Sequence, residues 1–514
     1  MEVVCFLINN LHIKYFMKTI LKIVFGISLF CLFMPLLLAQ ETAFEINIAD
    51  DSLNIMPELF INQTNNGTIG LVLKAPLYQS PAYYTSYLYK ISNTGDTVSY
   101  EFSKQDTILS YYEMIRIDVG EPGYMLSGLC RALDNNLIYT VITRLDSNLN
   151  IMWEKIYRFN YYYSVWKMRM LQLKDSSFLY CCSPNLSTNM FLLKLSYEGD
   201  SMAFRNYEGD SAGWIQSITY NADSIAYWLH NQWGHYHPNQ SSCSCIVVDE
   251  NLEQTGYYDY GSLDPSPYFG YFTPFSSKLM PNGSLITAGR GVVSESEHTY
   301  RYVTVIKYDS LFNPLYMSNL TNPDTNSRGA EVVAVDYYDP SCIYVAGVHN
   351  LQGITGNSPS WIYVAKMNDT LGIEFEKYIG GDDYYITFSV TATKDGGVLL
   401  TSTRSELGAP MYHRDVYIIK LDSTGCFVGL PENSTIQIKD VLVYPNPGKE
   451  KLMVRTALKN CIIRLFDMNG AEILLQPLDS HITEINTRQL TPGTYVYVIQ
   501  QNNKIVDKGK WIKQ

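Results

Sequence analysis

The sequence predicts an all-β chain, and three observations carry that prediction. Apolar and polar residues alternate along most of 44–432, the period of a half-buried strand. Pairs of Asn, Asp, Pro and Gly punctuate these runs at short intervals, as tight hairpin turns require. One motif also returns seven times: an apolar run, a basic residue, an apolar residue, a small polar residue, then a turn. Its basic position is filled by Lys90, Arg144, Lys194, Val247, Lys307, Lys366 and Lys420, at separations of 50 to 60 residues. Only the fourth copy lacks the cation.

Each repeat holds four strand-like runs. A turn and a strand precede the motif, as in PNGSLITAG at 281–289 and KDGGVLLTS at 394–402. That turn follows a run such as FSVTAT at 388–393, and a fourth run comes last, clearest in IMWEKIY at 151–157 and IEFEKYI at 373–379. Four-stranded antiparallel units at such a period are the sequence sign of propeller blades. A β-sandwich needs about 100 residues, more than one repeat supplies. The expected body is therefore a seven-bladed β-propeller of four-stranded antiparallel blades over 40–432. The seventh blade ends in the short run CFVGL (426–430), and FEINI (44–48) is expected to pair with it and close the ring, because an open edge needs covering.

The N-terminus reads as a signal peptide over 1–39. Lys18 and Lys22 precede the apolar run Ile23 to Leu38, and Ala39 offers a small residue for cleavage. Met17 makes a more conventional start than Met1. No later stretch is apolar and long enough to span a bilayer, so the mature protein is expected to be soluble and exported, with no stable membrane span. Of ten cysteines, Cys5 and Cys31 fall in the leader, and Cys130, Cys181, Cys182 and Cys342 sit in apolar runs where a reduced thiol acts as a small hydrophobe. The net charge of −12 is concentrated in the body, which argues against a nucleic-acid partner.

Catalytic and metal signatures are weak. GDSAG at 209–213 matches a nucleophile-elbow pattern, but Ser211 lies between two strands, whereas an elbow needs a strand-to-helix turn. His235 and His237 with Cys243 and Cys245 lack the spacing of a zinc knuckle. Asp146, Asp309 and Asp422 share one repeat position with Ser92, Ser196 and Asn368; capping of their own turns is simpler than calcium binding. The basic positions are expected to pair locally rather than to form a functional ring. No catalytic residue, metal or cofactor is assigned. Among 42 tyrosines, Tyr236, Tyr257, Tyr258 and Tyr384 are the candidates for an aromatic contact surface.

The tail follows a polar link, PENST at 431–435, and carries eleven basic against seven acidic residues over 436–514. It alternates with period two like the body, but with different turns, and should form a small Ig-like β-sandwich over 433–514. Its first strand is broken by Tyr444-Pro445-Asn446-Pro447, where two prolines fix φ and remove two donors. A Phe-Asp-x-x-Gly hairpin (Asp467, Gly470), a Leu-x-x-Gly-x-Tyr element (Leu490, Gly493, Tyr495) and a Lys-apolar-apolar-Lys end (Lys510, Lys513) follow in order. This arrangement closely resembles the type A C-terminal sorting domain of the bacterial type IX secretion system. The resemblance implies that the secretion machinery is a partner and that the protein is secreted or attached at the cell surface.

These readings converge on an exported, non-catalytic propeller that binds a surface protein or a glycan. The alternative is a secreted polysaccharide hydrolase or lyase with its site in the central channel, where Asp382 and Asp383 are the first paired carboxylates to consider.

Overall fold

The computed structural model describes residues 43–513 apart from short stretches, the longest at 233–242, 261–268 and 427–440. The chain divides into two units, Met1–Glu41 and Thr42–Gln514, and every described residue belongs to the second. The leader reading thus lies outside the described residues. Among those residues no helix is long and apolar enough to cross a membrane, and all regular structure is β.

Seven antiparallel sheets form in chain order across 44–421, and the first five are meanders of four strands. The first joins Leu53–Asn62, Thr68–Pro76, Thr85–Ile91 and Thr97–Glu101; the second Thr107–Ile117, Gly123–Ala132, Ile138–Asp146 and Ile151–Tyr157. The third joins Val165–Gln172, Phe178–Pro184, Met190–Leu195 and Ser201–Tyr207; the fourth Trp214–Tyr220, Tyr227–Gln232, Cys243–Val248 and Gln254–Asp259. The fifth, with the longest strands, joins Phe269–Leu279, Leu285–Glu295, His298–Tyr308 and Pro314–Leu320. In the sixth, two short pieces, Arg328–Gly329 and Val335–Tyr337, share the place of a first strand beside Ile343–His349, Trp361–Met367 and Ile373–Gly380.

The seventh sheet holds Tyr384–Ala392, Val398–Ser405 and Asp415–Leu421, and its fourth strand is Phe44–Ile48. That strand pairs with Asp415–Leu421 in the register Phe44↔Lys420 to Ile48↔Val416. The sequence reading placed 44–48 against 426–430. Instead FEINI supplies the missing fourth strand itself, and 427–430 lie outside the described residues. Apolar cores lie between successive sheets; one, for example, joins Leu179 and Leu192 of the third to Ile215, Leu229 and Ile246 of the fourth.

The turn between third and fourth strands is one device used repeatedly. In the second sheet the N–H groups of Asn148 and Asn150 both donate to Asp146 Oδ1 at 2.8 Å. Asp249, Asp309, Asn368 and Asp422 accept the equivalent pairs. Three residues after that acceptor the chain turns left-handed. Gly95, Gly199 and Gly425 fill this position in three repeats, but Leu149, Leu252, Phe312 and Leu371 fill it in four, at φ between 61 and 72°. A side chain there is strained. Burial offsets the strain, because Leu252, Phe312 and Leu371 each pack into the preceding sheet.

The basic positions lock the same joint. Arg144 lies over the Tyr197 ring at 4.0 Å, Lys307 donates to the Asp369 carbonyl at 2.7 Å, and Lys366 donates to the Ser423 carbonyl at 3.2 Å. Tyr197, Asp369 and Ser423 occupy one equivalent position in the next repeat's turn. Where Val247 stands instead, Trp228, Tyr258 and Tyr260 of the fourth sheet enclose Phe312 and Tyr308 of the fifth. Ring centroids there are 4.6–5.3 Å from Phe312.

The tail forms two further sheets, one of Val441–Tyr444, Lys451–Thr456 and Ile482–Asn486, the other of Glu472–Leu478, Cys461–Phe466, Gly493–Gln501 and Lys504–Lys513. Leu452, Val454 and Ile485 from the first meet Ile463, Ile499 and Trp511 from the second in one core. The expectation of different turns fails at one hairpin. Asp467 accepts the Ala471 N–H at 2.8 Å and Gly470 sits at φ 83°, which is the body's turn again.

Candidate functional site

The first strands of the seven sheets bring together the charged residues that stand out most. Leu53–Asn62 packs beside Thr107–Ile117, that beside Val165–Gln172, then Trp214–Tyr220, then Phe269–Leu279. Val335–Tyr337 touches both Phe269–Leu279 and Tyr384–Ala392, and Tyr384–Ala392 packs back against Leu53–Asn62. Six of these strands slip register, at Pro57/Phe60, Tyr111/Glu113, Val165/Lys167, Ile215/Ser217, Pro274/Ser276 and Thr387/Ser389. The sixth sheet is interrupted at 330–334 instead. A bulge re-aims the side chains on either side of it. Glu58, Glu113, Lys167, Gln216 and Glu331 all sit at or beside these breaks.

Arg169 is the hub. From the third sheet its guanidinium reaches Glu113 Oε2 of the second at 3.1 Å, the Gln216 carbonyl of the fourth at 2.5 Å and the Val332 carbonyl of the sixth at 3.4 Å. Lys167 Nζ donates to the Glu331 carbonyl at 2.9 Å, and Glu331 pairs with Arg328. Glu113 and Arg169 are buried, while Glu58, Lys167 and Glu331 are partly exposed. Desolvation by burial raises the Glu58 and Glu113 carboxyls to about 7, against the pull of Lys167 and Arg169, and lowers the Lys167 ammonium to about 8. Glu113 is committed to Arg169. Glu58 makes no hydrogen bond among the described residues, so it could give or take a proton near neutral pH, with Lys167 as the neighbouring positive charge.

The paired carboxylates named from sequence are bound elsewhere. Arg404 Nε donates to Asp383 at 2.7 Å and its Nη2 to Asp382 at 3.3 Å, and the Tyr385 hydroxyl donates to Asp382 at 2.8 Å. Both carboxylates are spent on one guanidinium. Beside them Tyr417 holds Glu45 of Phe44–Ile48, and burial raises that carboxyl to about 7.

The tyrosine surface is only partly assembled. Tyr257 is 47% exposed on the outer strand of the fourth sheet, and Tyr258 stacks one face on Phe312. Tyr384 is a correction: at 2% exposure it packs with Leu59, Val332 and Phe388, because its strand is covered on both faces. Tyr236, His235, His237 and Ser211 lie outside the described residues. Cys243 and Cys245 are buried in the aromatic core. Among the described residues no group of three or more His, Cys, Asp or Glu could hold a metal ion.

In the tail, Tyr444 ends the first strand opposite Met453, and Pro445, Asn446 and Pro447 lie outside the described residues. Asp467 and Gly470 form the hairpin turn, and Leu490 packs against the core. Gly493 opens the strand that buries Tyr495, whose hydroxyl donates to the Thr491 carbonyl at 2.8 Å. Lys510 and Lys513 lie in the last strand opposite Val496 and Gly493.

Sequence reading missed Glu58, Glu113, Lys167 and Arg169. The available signal was charge breaking an apolar run, in LNIMPELFIN, TILSYYEMIRI and VWKMRMLQ. Glu113 and Arg169 face equivalent residues, Ser127 and Cys181, but carry opposite charges, so a search for repeated residue types passes over them.

The tail defines an exported protein. Residues 442–514 match the family described as Secretion system C-terminal sorting domain. The C-terminal segment is therefore a sorting domain that engages the secretion machinery, and the protein is secreted or attached at the cell surface after export. No curated protein matches the chain. Among solved structures it is similar to the AfRom2 CNH domain (7% identity, 74% of this chain and 99% of that one, TM-score 0.40). A puromycin hydrolase (12%, 86% and 58%, 0.41) and a luciferin-regenerating enzyme (8%, 73% and 95%, 0.36) also match. The chain spans little more than half of that hydrolase's length. Likenesses this remote say nothing of ligand or chemistry.

Proposed function

We propose that residues 40–432 form a seven-bladed β-propeller, exported behind a signal peptide at 1–39 by the sorting domain at 433–514. In this reading the propeller is a non-catalytic module that binds protein or glycan at or beyond the cell surface. The observation that carries the reading is Arg169. A hydrolase or lyase with its site in the channel needs carboxylates facing open space there, whereas Arg169 crosses between first strands and neutralises Glu113. Exposed Tyr257 on an outer strand supports a contact surface away from that centre.

A binding screen of the exported protein against glycans and cell-surface proteins tests the reading. A ligand should emerge whose affinity falls at least about tenfold in Tyr257→Ala; ligand binding unaffected by that change would move the surface elsewhere. Deleting 436–514 should leave the protein inside the cell envelope, and normal release of the truncated chain would refute the sorting role. Glu58 favours the second reading, a polysaccharide hydrolase or lyase. Turnover of a polysaccharide that disappears in Glu58→Gln would establish it and displace the first.

A further inference from the structure

Residues 330–334 leave their own sheet and join the next one. The Ala330 N–H donates to the Ala346 carbonyl and the Ala346 N–H to the Ala334 carbonyl, so both ends of the segment stay on the sixth sheet. Between them the Glu331 N–H donates to the Thr387 carbonyl at 3.1 Å and the Val332 N–H to the Phe388 carbonyl at 2.8 Å, which ties the middle to the seventh sheet. From the third sheet, Lys167 and Arg169 reach the carbonyls of Glu331 and Val332. Three sheets are fastened at this one segment.

Lys167 has an unexpected partner there. Glu58, Glu113 and Glu331 all attract its ammonium, yet it rests on a main-chain carbonyl at 2.9 Å and makes no ion pair among the described residues. An ammonium binds a carboxylate more strongly than a neutral carbonyl. Glu113 is taken by Arg169 and Glu331 by Arg328. Glu58 is uncommitted, with no hydrogen-bond donor among the described residues, and a carboxyl so placed and largely cut off from water favours its protonated form. The groups around it are Lys167 and Arg169 of the third sheet, Glu113 and Tyr112 of the second, and Glu331 of the sixth. Tyr384 of the seventh faces Glu331, Arg328 and Arg414. The first strand of the fourth sheet carries no charge, and in that of the fifth Lys278 is paired with Asp336.

We propose that Glu58 is a proton-controlled switch for Lys167. With a proton on Glu58, Lys167 stays on the Glu331 carbonyl and segment 330–334 is clasped to the third sheet. When that proton leaves to water, the Glu58 carboxylate draws Lys167 toward the first sheet, and the clasp on 330–334 loosens. Burial sets where this happens, because it raises the Glu58 carboxyl to about 7. A carboxyl raised in this way supports the folded arrangement fully below the ordinary carboxylate range, and that support is lost as pH rises through about 7. The Glu58 charge in turn favours the charged ammonium, so Lys167 remains a cation to be drawn.

Amide hydrogen exchange of the exported protein at about pH 6 and about pH 8, with rates corrected for the intrinsic pH dependence of exchange, tests this. In the wild type, protection of a peptide spanning 330–334 should fall about tenfold or more between the two. In Glu58→Gln, which cannot ionise, protection should stay at the acid level at both. In Lys167→Met it should be low at both, because no ammonium reaches the Glu331 carbonyl. Glu45→Gln removes another carboxyl raised to about 7 but should respond as the wild type does, which separates a local switch from a change in the whole molecule. The wild-type comparison needs no variant and stands even where one fails to fold. Equal wild-type protection at both pH values would overturn the proposal. So would a Glu58→Gln chain that loses protection as the wild type does, a Lys167→Met chain as protected as the wild type in acid, or a Glu45→Gln chain that no longer responds to pH.

Discussion

Two kinds of joint connect neighbouring sheets in this molecule. At the joints after the second, fifth and sixth sheets, a cation from the third strand grips the next repeat's turn through Tyr197, Asp369 or Ser423. At the joint after the fourth sheet, Val247 cannot do this, and Trp228, Tyr258, Tyr260, Tyr308 and Phe312 pack into a continuous aromatic cluster. The same backbone position is thus held in two ways, by a directional contact from a cation or by bulk apolar area. Both kinds of joint bury apolar side chains, but only the first adds a directional contact, whereas the second adds ring packing. They should fail differently.

Phe312→Ala should cost the most, about 3–5 kcal/mol in urea unfolding, because it empties the centre of the aromatic joint. A loss under about 1 kcal/mol would mean that the cluster collapses onto itself. Lys420→Met should cost about 2–3 kcal/mol at pH 7, since buried Lys420 donates to Asp395 at 2.7 Å. Burial works to raise the Asp395 carboxyl, but hydrogen bonds from Lys420 and Thr393 outweigh it and leave it lowered. A lowered carboxylate contributes stability above its unfolded pKa and loses it as pH falls through the folded value. The Lys420→Met deficit should therefore shrink below pH ~4, as urea midpoints across pH would show. Arg144→Met should cost about 1–2 kcal/mol by removing the contact over Tyr197. Val247→Lys should restore nothing and cost about 1 kcal/mol, because the ammonium enters an aromatic joint. A stabilised Val247→Lys would show that the two joints are interchangeable.

Much of the body was legible because it repeats. The turns could be read from Asp, Asn and Gly, since their geometry needs a side-chain acceptor and then a left-handed residue. Leu149, Leu252, Phe312 and Leu371 were not legible as turn residues, because tertiary burial overrides their local preference. The strand at 44–48 was recognised, but its partner was misplaced: strand identity is local, whereas pairing across the whole body is not. Tyr384 looked like surface, yet its strand YYITFSVTA is buried at every position. Alternation cannot reveal a strand covered on both faces. The Arg169 cluster was illegible for a different reason. It depends on where bulges fall in separate strands, and no single run encodes that.

The strand Phe44–Ile48 has a consequence for how the protein assembles. Glu45 and Tyr417 are 372 residues apart in sequence yet lie in one sheet. Bringing such distant ends together costs about 5 kcal/mol of loop-closure entropy if nothing between them is yet ordered. The other six sheets, built from local hairpins, can form first and shorten the effective loop. The seventh sheet should then be the slow and final step, one that cannot begin until the whole body has been made. Until then Asp415–Leu421 offers an open edge, and a chain that loses its first fifty residues keeps that edge for good.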